Sequence, residues 1–288
     1  MRSQIMCVAV LLTAVLSVPA LAEWTTPVPV TSGINTQLNE WTPYLSYDGL
    51  SLYFSRGGSS IYEAKRNQPS GAFTSVSQVF STSGNAISPW VSPDNLRMYY
   101  HEESSSWQIK VSQRASVNDP WPQGTAVSGL PSGVCLPSLS SDELTIVFNN
   151  PNVGGWDMYI ATRPDKNSSF SNIRNLSEIN TADMESRPFL SPDALSIYYC
   201  DASLGQIFEA TRQSLNDPFG NVQHLSAFDI PGGWSNHPAI SSDGTAFYFV
   251  GGRTGMPAAD IYVSYNIPEP ATLLLLGLGA VIIRKFRA

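Results

Sequence analysis

A proline followed five residues later by an aspartate, in the pattern P-x-x-S-x-D, occurs five times in this chain of 288 residues. The successive aspartates are 46, 48, 51 and 50 residues apart. A repeat of this length is typical of the four-stranded blades of a β-propeller and is too long for leucine-rich, ankyrin or tetratricopeptide units. The five copies span residues 43–48, 89–94, 137–142, 188–193 and 238–243. We therefore predict an all-β propeller.

Each repeat contains the same predicted strands. A short strand follows the proline, the aspartate lies in a turn, and a second strand ends in an aromatic or apolar pair such as Tyr53 and Phe54. A third strand ends in arginine, and an aromatic residue that opens a fourth strand follows seven residues later in four repeats. Such constant spacing predicts a structural loop. The pairs are Arg66 and Phe73, Arg114 and Trp121, Arg163 and Phe170, and Arg212 and Phe219.

The fifth repeat has only three strands before the C-terminal tail begins. Residues 24–30, near the other end of the chain, match the start of the fourth strands. A strand from the N-terminus that completes the last blade would remove the open sheet edge. The sequence thus predicts a single five-bladed β-propeller of four-stranded blades, closed by N-terminal and C-terminal strands that share one blade. Six blades are the alternative, which would require a degenerate unit.

The repeats resemble the TolB-like (WD40-like) β-propeller repeat over residues 24–266. Pro93 and Pro192 reproduce the Ser-Pro-Asp of that family, whereas Tyr47, Ser141 and Ser242 depart from it. Relatives in the family are often six-bladed, so the expectation of five blades rests on counting the repeats.

The N-terminus has the pattern of a secretory signal. Arg2 precedes an apolar stretch, residues 5–18, which ends in Ala20-Leu21-Ala22. We predict a cleaved signal peptide at residues 1–22 and a propeller domain at 23–266. An uncleaved anchor is the alternative, although the apolar stretch is shorter than the ~20 residues of a spanning helix.

The C-terminus combines the motif Pro268-Glu269-Pro270, an apolar run at residues 271–283 and a basic end at 284–287. The run is short for a transmembrane helix, and the basic end would stay cytoplasmic. This tail, residues 267–288, resembles the PEP-CTERM sorting signal, with Ile267 where valine is most frequent. The resemblance implies an exosortase as partner in the inner membrane of a Gram-negative bacterium, transient anchoring, cleavage near the motif, and delivery to the cell surface or matrix. A plain membrane anchor is the alternative.

Composition narrows the function classes. Residues 23–266 contain 12 Lys and Arg against 22 Asp and Glu, a formal net charge of −10, which argues against nucleic acid as a partner. The three histidines lack metal-ligand spacing, so neither a metal site nor a cofactor is predicted. Cys135 and Cys200 would be compatible with a disulfide in an exported protein, and the sequence leaves their pairing open.

The loops before strand one and after strand two should meet at one mouth of the central channel, where function is usually found. Carboxylates beside tryptophans suit a sugar site, because they offer acceptors for hydroxyls and flat faces for pyranose rings. Glu40 and Glu185 occupy the same repeat position, as do Asn35 and Asn180, so loop fastening is the competing interpretation of these four. The candidate ligand-binding residues are Glu40, Trp41, Trp156, Glu185, Arg187, Trp234 and His237.

The sequence favours a non-catalytic binding or scaffold protein of the cell surface, with polysaccharide or a surface protein as partner. A polysaccharide-active glycoside hydrolase or lyase at the channel mouth is the alternative, with Glu40 and Glu185 as its carboxylates. A hydrolase needs two carboxyl groups ~5 to 10 Å apart. A mouth filled by hydrogen bonds between blades would instead favour the scaffold.

Overall fold

The computed structural model describes residues 23–81, 85–103, 105–152, 155–253 and 258–267, and these ranges form strands, turns and one short 3₁₀ helix. The predicted signal peptide and the sorting motif lie outside them. The strands are β1 Glu23–Trp24, β2 Val28–Pro29, β3 Glu40–Leu45, β4 Ser51–Arg56, β5 Ser60–Lys65, β6 Ser75–Ser81, β7 Asn85–Val91, β8 Arg97–Glu103, β9 Trp107–Gln113, β10 Thr125–Ala126, β11 Cys135–Leu139, β12 Thr145–Asn150, β13 Asp157–Thr162, β14 Ser171–Asn175, β15 Glu185–Leu190, β16 Ser196–Asp201, β17 Gln206–Thr211, β18 Gly220–His224, β19 Gly233–Ile240, β20 Ala246–Arg253 and β21 Asp260–Ile267.

These strands form five antiparallel sheets, one for each sequence repeat. Blades 1 to 4 are β3 to β6, β7 to β10, β11 to β14 and β15 to β18, and blade 5 contains β19, β20 and β21. The prediction of a five-bladed propeller is confirmed. Residues 24–266 form one compact unit.

The predicted closure is also confirmed, because β1 and β2 both pair with β21. Val28 lies opposite Val263, and the amide of Val30 donates to the carbonyl of Ile261 at 2.8 Å. The indole of Trp24 packs edge-on against Phe228, in the 3₁₀ helix Ser226–Phe228 that precedes β19, and against Phe247 of β20, with centroid distances of 5.3 and 5.8 Å. The N-terminal segment therefore supplies both the missing strand and an aromatic anchor.

The serine and aspartate of each repeat build the turn between the first two strands. In blade 1 the Ser46 hydroxyl donates to Asp48 at 2.6 Å, and the Leu50 amide donates to the same carboxylate at 3.0 Å. All five blades repeat this pattern, and the residue after the aspartate is left-handed in each. Glycine is favoured there because it has no Cβ, yet Glu143 and Ala194 adopt the same conformation, with φ of 62° and 59°.

The constant loop between strands three and four is held by its arginine. The Arg212 guanidinium lies 4.5 Å from the centroid of Phe219, and its Nε donates to the carbonyl of Ala194 at 2.8 Å. The other three pairs have the same two contacts, so each arginine joins the loop to the left-handed residue of the turn. The prediction that this loop is structural thus has a physical basis.

The large side chains that end each second strand form the core between blades. Tyr53, Phe54, Tyr99, Phe148 and Phe249 are among the fully buried or nearly fully buried residues. All five belong to the larger buried apolar cluster, as expected for large side chains packed between neighbouring sheets.

Candidate functional site

The central channel is closed in its middle by three rings. Tyr44 lies 5.8 Å from Trp90 and 6.2 Å from Phe189, measured between centroids. These rings separate two small cavities of about 40 and 20 Å³. The larger cavity lies at the end where the first strands begin, which we call the mouth. It is lined by first-strand residues from all five blades, including Thr42, Ser88, Leu136, Arg187 and His237.

These five lining residues share an unusual backbone conformation. Each directly precedes the repeat proline, and their φ values are 54°, 60°, 56°, 60° and 49°. Each also lies at a break in the register between the first two strands, which marks a β-bulge. Left-handed conformations of non-glycine residues cost on the order of 1–3 kcal/mol and persist only where surrounding contacts hold them.

Side chains from the preceding blade supply several of those contacts. The amide of Ser88 donates to Ser55 Oγ at 3.2 Å, that of Leu136 to His101 Nδ1 at 3.2 Å, and that of Arg187 to Asn149 Oδ1 at 2.9 Å. The three acceptors occupy the same position in the repeat, seven residues after the turn aspartate. Burial lowers the pKa of His101 to about 3, so the neutral ring accepts this bond.

Arg187 and His237 form the polar part of the mouth. Arg187 Nε donates to His237 Nε2 at 3.1 Å, and the other ring nitrogen lies 2.6 Å from Asn236 Oδ1. Because Nε2 accepts, the proton of the neutral ring lies on Nδ1. Burial, together with the charge of Arg187, holds the pKa of His237 well below 6.5. His237 is therefore a neutral partner that orients the arginine without neutralising its charge.

One side of the mouth contains a tryptophan stack. Trp41 and Trp234 are nearly parallel, with an interplanar angle of 14° and centroids 5.8 Å apart. Trp41 also lies 5.5 Å from His237, which joins the stack to the polar pair. Both indoles are half-buried. A methyl group added at Gly252 would come within 2.6 Å of the Trp234 ring, so this indole is also part of the blade packing.

A second aromatic pair comes from blades 2 and 3. Trp107 and Trp156 lie 4.9 Å apart at an angle of 56°, and Trp107 is 6.0 Å from His101. The candidate residues from the sequence did not include Trp107. The repeat pattern could have identified Trp107, because Trp107 and Trp156 occupy the same repeat position. Each lies two residues before the first apolar residue of the third strand, Ile109 or Met158.

Glu40 and Glu185 have the contacts of loop fasteners. Glu40 accepts bonds from the Thr36 amide at 3.1 Å and hydroxyl at 2.7 Å, and from Arg56 Nε at 2.9 Å. Glu185 accepts the equivalent bonds from the amide and hydroxyl of Thr181 at 2.9 and 2.5 Å. Both carboxylates are buried, with exposed fractions of 0 and 3%. Each carboxylate is therefore fastened to its own loop through a threonine, and Glu40 is bonded in addition to Arg56 at the end of β4.

Asn35 and Asn180 fasten the same loops to the preceding blade. The Asn35 amide donates to the Ile261 carbonyl at 2.9 Å, and its oxygen accepts from the Ile261 amide at 2.8 Å. Asn180 makes the same two bonds with Met158, at 2.9 and 3.0 Å. Each asparagine thus pairs with the third strand as a short strand would.

Cys135 and Cys200 are free thiols, both buried. Each lies close to a backbone carbonyl, of Asn149 at 3.9 Å and of Ser235 at 3.7 Å. Burial raises the pKa of Cys200 to about 11, which makes its thiolate scarce. Within the described ranges, no cluster of three His, Cys, Asp or Glu side chains could hold a metal ion.

Comparison with known proteins identifies the tail and the fold. Residues 266–287 match the PEP-CTERM protein-sorting motif, which implies export and recognition by an exosortase during membrane-associated sorting in a Gram-negative bacterium. No curated protein matches the chain in sequence. No helix among the described residues is long and apolar enough to cross a membrane, and the apolar run at 271–283 lies outside those residues.

Several solved structures share the propeller. A putative TolB from Agrobacterium tumefaciens is 15% identical with a TM-score of 0.52, and the match covers 81% of this chain and 92% of the other. A GH43_1 enzyme from Xanthomonas citri is 14% identical with a TM-score of 0.64, and the match covers 82% of this chain and 90% of the other. The calcium-binding protein regucalcin from A. tumefaciens is 9% identical with a TM-score of 0.52, and the match covers 83% of this chain and 94% of the other. At such identities the likeness shows the fold alone. The chain is thus a five-bladed β-propeller, similar in fold to TolB-like propellers, that carries a PEP-CTERM protein-sorting motif.

Proposed function

We propose that this protein is a non-catalytic glycan-binding propeller of the cell surface or extracellular matrix, delivered there through its exosortase-recognised tail. The observation that carries the proposal is the set of four half-buried tryptophans at one mouth of the channel, Trp41, Trp107, Trp156 and Trp234. Flat indole faces beside hydrogen-bonding groups suit pyranose rings, which have apolar faces and polar edges.

The repeat itself does not require these tryptophans. At the position of Trp107 and Trp156 the other three blades have Ser59, Gly205 and Ala259. Trp41 and Trp234 pack against the larger of the two buried apolar clusters, whereas Trp107 and Trp156 belong to neither cluster. An aromatic pair that neither repeat nor core demands is best explained by a ligand.

The contacts at the mouth favour binding over hydrolysis. Glu40 and Glu185, the carboxylates that the hydrolase alternative would use, are engaged by threonines of their own loops, and Glu40 also by Arg56 at the end of β4. The described residues that line the mouth cavity are uncharged except for Arg187. The residues that precede three of the repeat prolines are further joined to the preceding blade by hydrogen bonds. This arrangement supports a rigid platform that presents aromatic rings.

A glycan array probed with the full-length chain tests the proposal. The protein should be kept in a polyoxyethylene detergent, which contains no sugar that would compete. We expect binding to at least one polysaccharide class, and we expect the double variant Trp107→Ala, Trp156→Ala to weaken it at least tenfold. Tyr47→Ala is the matched control, because Tyr47 is an exposed aromatic residue that lines the cavity on the opposite side of the channel. An array without any signal, or a double variant that binds as the parent does, would refute the proposal.

A further inference from the structure

We infer that the mouth selects glycans that carry a carboxylate, with Arg187 as the residue that binds the acidic group. This inference rests on the proposed glycan-binding function and names the class of sugar that the same site takes. It starts from the surroundings of the Arg187 guanidinium, which differ from those of the other arginines.

Every other described arginine that is not fully exposed has a partner that compensates its charge. Arg56 and Arg97 form ion pairs with glutamates. Arg66, Arg114, Arg163 and Arg212 lie over aromatic rings. Within the described ranges Arg187 has neither, since its side chain bonds to neutral His237 and to the Ser186 hydroxyl at 2.9 Å.

A half-buried cation without a counter-charge is costly, because burial removes part of its hydration. The propeller between the two terminal signals carries a formal charge of −10, yet no carboxylate of the described residues is within 4.0 Å of Arg187. His237 Nε2 fixes the direction of the guanidinium from one side. An incoming carboxylate would supply the missing charge and accept strong, charge-assisted hydrogen bonds.

The cavity in front of Arg187 also has an unsatisfied hydroxyl in its wall. Ser88 lines the cavity, is 6% exposed, and its Oγ has no hydrogen-bond partner. Buried polar groups are nearly always hydrogen-bonded, so such a group needs an explanation. A ligand oxygen that enters between blades 2 and 4 would provide the partner.

The size of the cavity determines which part of a sugar can enter. A volume of about 40 Å³ exceeds the ~10–15 Å³ that one water molecule needs, but it is far below the ~300 Å³ of a pocket for a whole small molecule. A carboxylate fits and a pyranose ring does not. We therefore place the ring outside, against Trp41 and Trp234, with its carboxylate directed at Arg187.

The inference is tested by measuring the affinity of the full-length chain for matched pairs of oligosaccharides that differ only by oxidation at C6. Three pairs suffice: β-1,4-linked glucose and glucuronate, α-1,4-linked galactose and galacturonate, and β-1,4-linked mannose and mannuronate. For the pair that binds, we expect the uronate form to bind at least tenfold more tightly. Non-specific attraction cannot produce this preference, because the protein and the uronate are both negatively charged.

Arg187→Gln should abolish the preference and bring the affinities for the two forms within twofold of each other. The preference is a ratio measured on one protein, so a change in overall affinity does not imitate its loss. Arg187→Lys, which keeps the charge, should retain part of the preference. Arg253→Gln is the matched control, since Arg253 is an exposed arginine at the end of a second strand, and the same charge change there should leave the preference intact.

The outcomes separate this inference from the proposed function. Equal affinities of the parent protein for both members of a pair would overturn the role of Arg187 and leave glycan binding intact. A preference that survives in Arg187→Gln would do the same. If the protein binds none of the oligosaccharides and no glycan of the array, the proposed function is refuted, and the inference with it.

Discussion

Arg97 of blade 2 binds both carboxylate oxygens of Glu143 in blade 3, through two hydrogen bonds of 2.6 Å from Nε and Nη2. Lys166 Nζ lies 2.9 Å from the same carboxylate, and the Tyr99 hydroxyl donates to it at 3.0 Å. Glu143 is fully buried and occupies the left-handed turn position where glycine is favoured. The ion pair thus holds together two blades and a strained residue.

Replacing Glu143 should therefore destabilise the propeller strongly. We expect Glu143→Gln to lower the free energy of unfolding by about 3–5 kcal/mol, because Arg97 and Lys166 lose a fully buried counter-charge. Urea denaturation followed by tryptophan fluorescence measures the effect. Glu178→Gln is the control, since Glu178 forms an exposed ion pair with Arg174 whose loss should cost less than about 1 kcal/mol. Similar losses in both variants would contradict the proposed importance of the buried pair.

The same carboxylate predicts a pH dependence. Burial alone would raise the pKa of Glu143, but the hydrogen bonds and charges of Arg97 and Lys166 outweigh it and hold the pKa below its ordinary value. A lowered pKa in the folded state means that the stabilisation is complete above the pKa of the unfolded chain, roughly 4.3. It is lost as the pH falls further, through the pKa of the folded state. Urea denaturation between pH 6 and pH 3 should show a smaller decline for Glu143→Gln than for the parent.

The N-terminal strands should contribute directly to stability. Trp24→Ala removes an indole that contacts Phe228 and Phe247, and we expect it to lower the free energy of unfolding by about 2–3 kcal/mol. Val28→Ala, at an exposed position of the adjacent strand, should cost less than about 1 kcal/mol. An unchanged thermal midpoint on deletion of residues 23–30 would be incompatible with strand sharing.

The two tryptophan clusters should differ in their effect on folding. Trp234→Ala leaves a void over Gly252 and breaks the stack on Trp41, so we expect a loss of about 2 kcal/mol in stability as well as weaker glycan binding. Trp156→Ala should weaken binding by about 1 kcal/mol and change stability little. Thermal denaturation and glycan affinity measured on the same preparations test the difference. A Trp156→Ala protein that is as unstable as Trp234→Ala would make Trp156 a core residue.

The sorting motif gives a prediction in the native host. Replacement of Glu269 should block exosortase processing, so that the protein stays in the inner membrane fraction. Mass spectrometry of the surface-released parent protein should find chains that end near Pro268-Glu269-Pro270. Released chains that still contain residues 284–288 would show that the tail is a plain anchor.

Much of the fold could be read from the sequence because it depends on local, repeated chemistry. The period of the aspartates gave the blade, and the short fifth repeat together with residues 24–30 gave the closure. The blade relies on contacts that recur in every unit, and the closure was visible because one unit lacks its fourth strand. The turn serine and aspartate illustrate this recurrence, since in every blade they bond to each other and the aspartate accepts from the amide two residues later.

The parts that the sequence did not reveal depend on contacts between blades. The left-handed residues before the prolines, such as Ser88 and Leu136, share no residue type, because their conformation is held by a side chain of the neighbouring blade. The network of Glu143 joins Arg97 to a turn 46 residues away. Arg187 was predicted as a mouth residue, but only the structure shows that its charge has no counterpart among the described residues.

The shared blade also orders the events of folding. Thr25 and Ser264, whose side chains lie 3.5 Å apart, are separated by 239 residues of chain. Closing so long a loop is entropically costly and is compensated only once the intervening blades are in place. A chain exported from its N-terminus presents β1 first, but that strand has no partner until β21 has left the translocation channel. The ring is consequently sealed last, and β21 ends at Ile267, directly before the sorting motif.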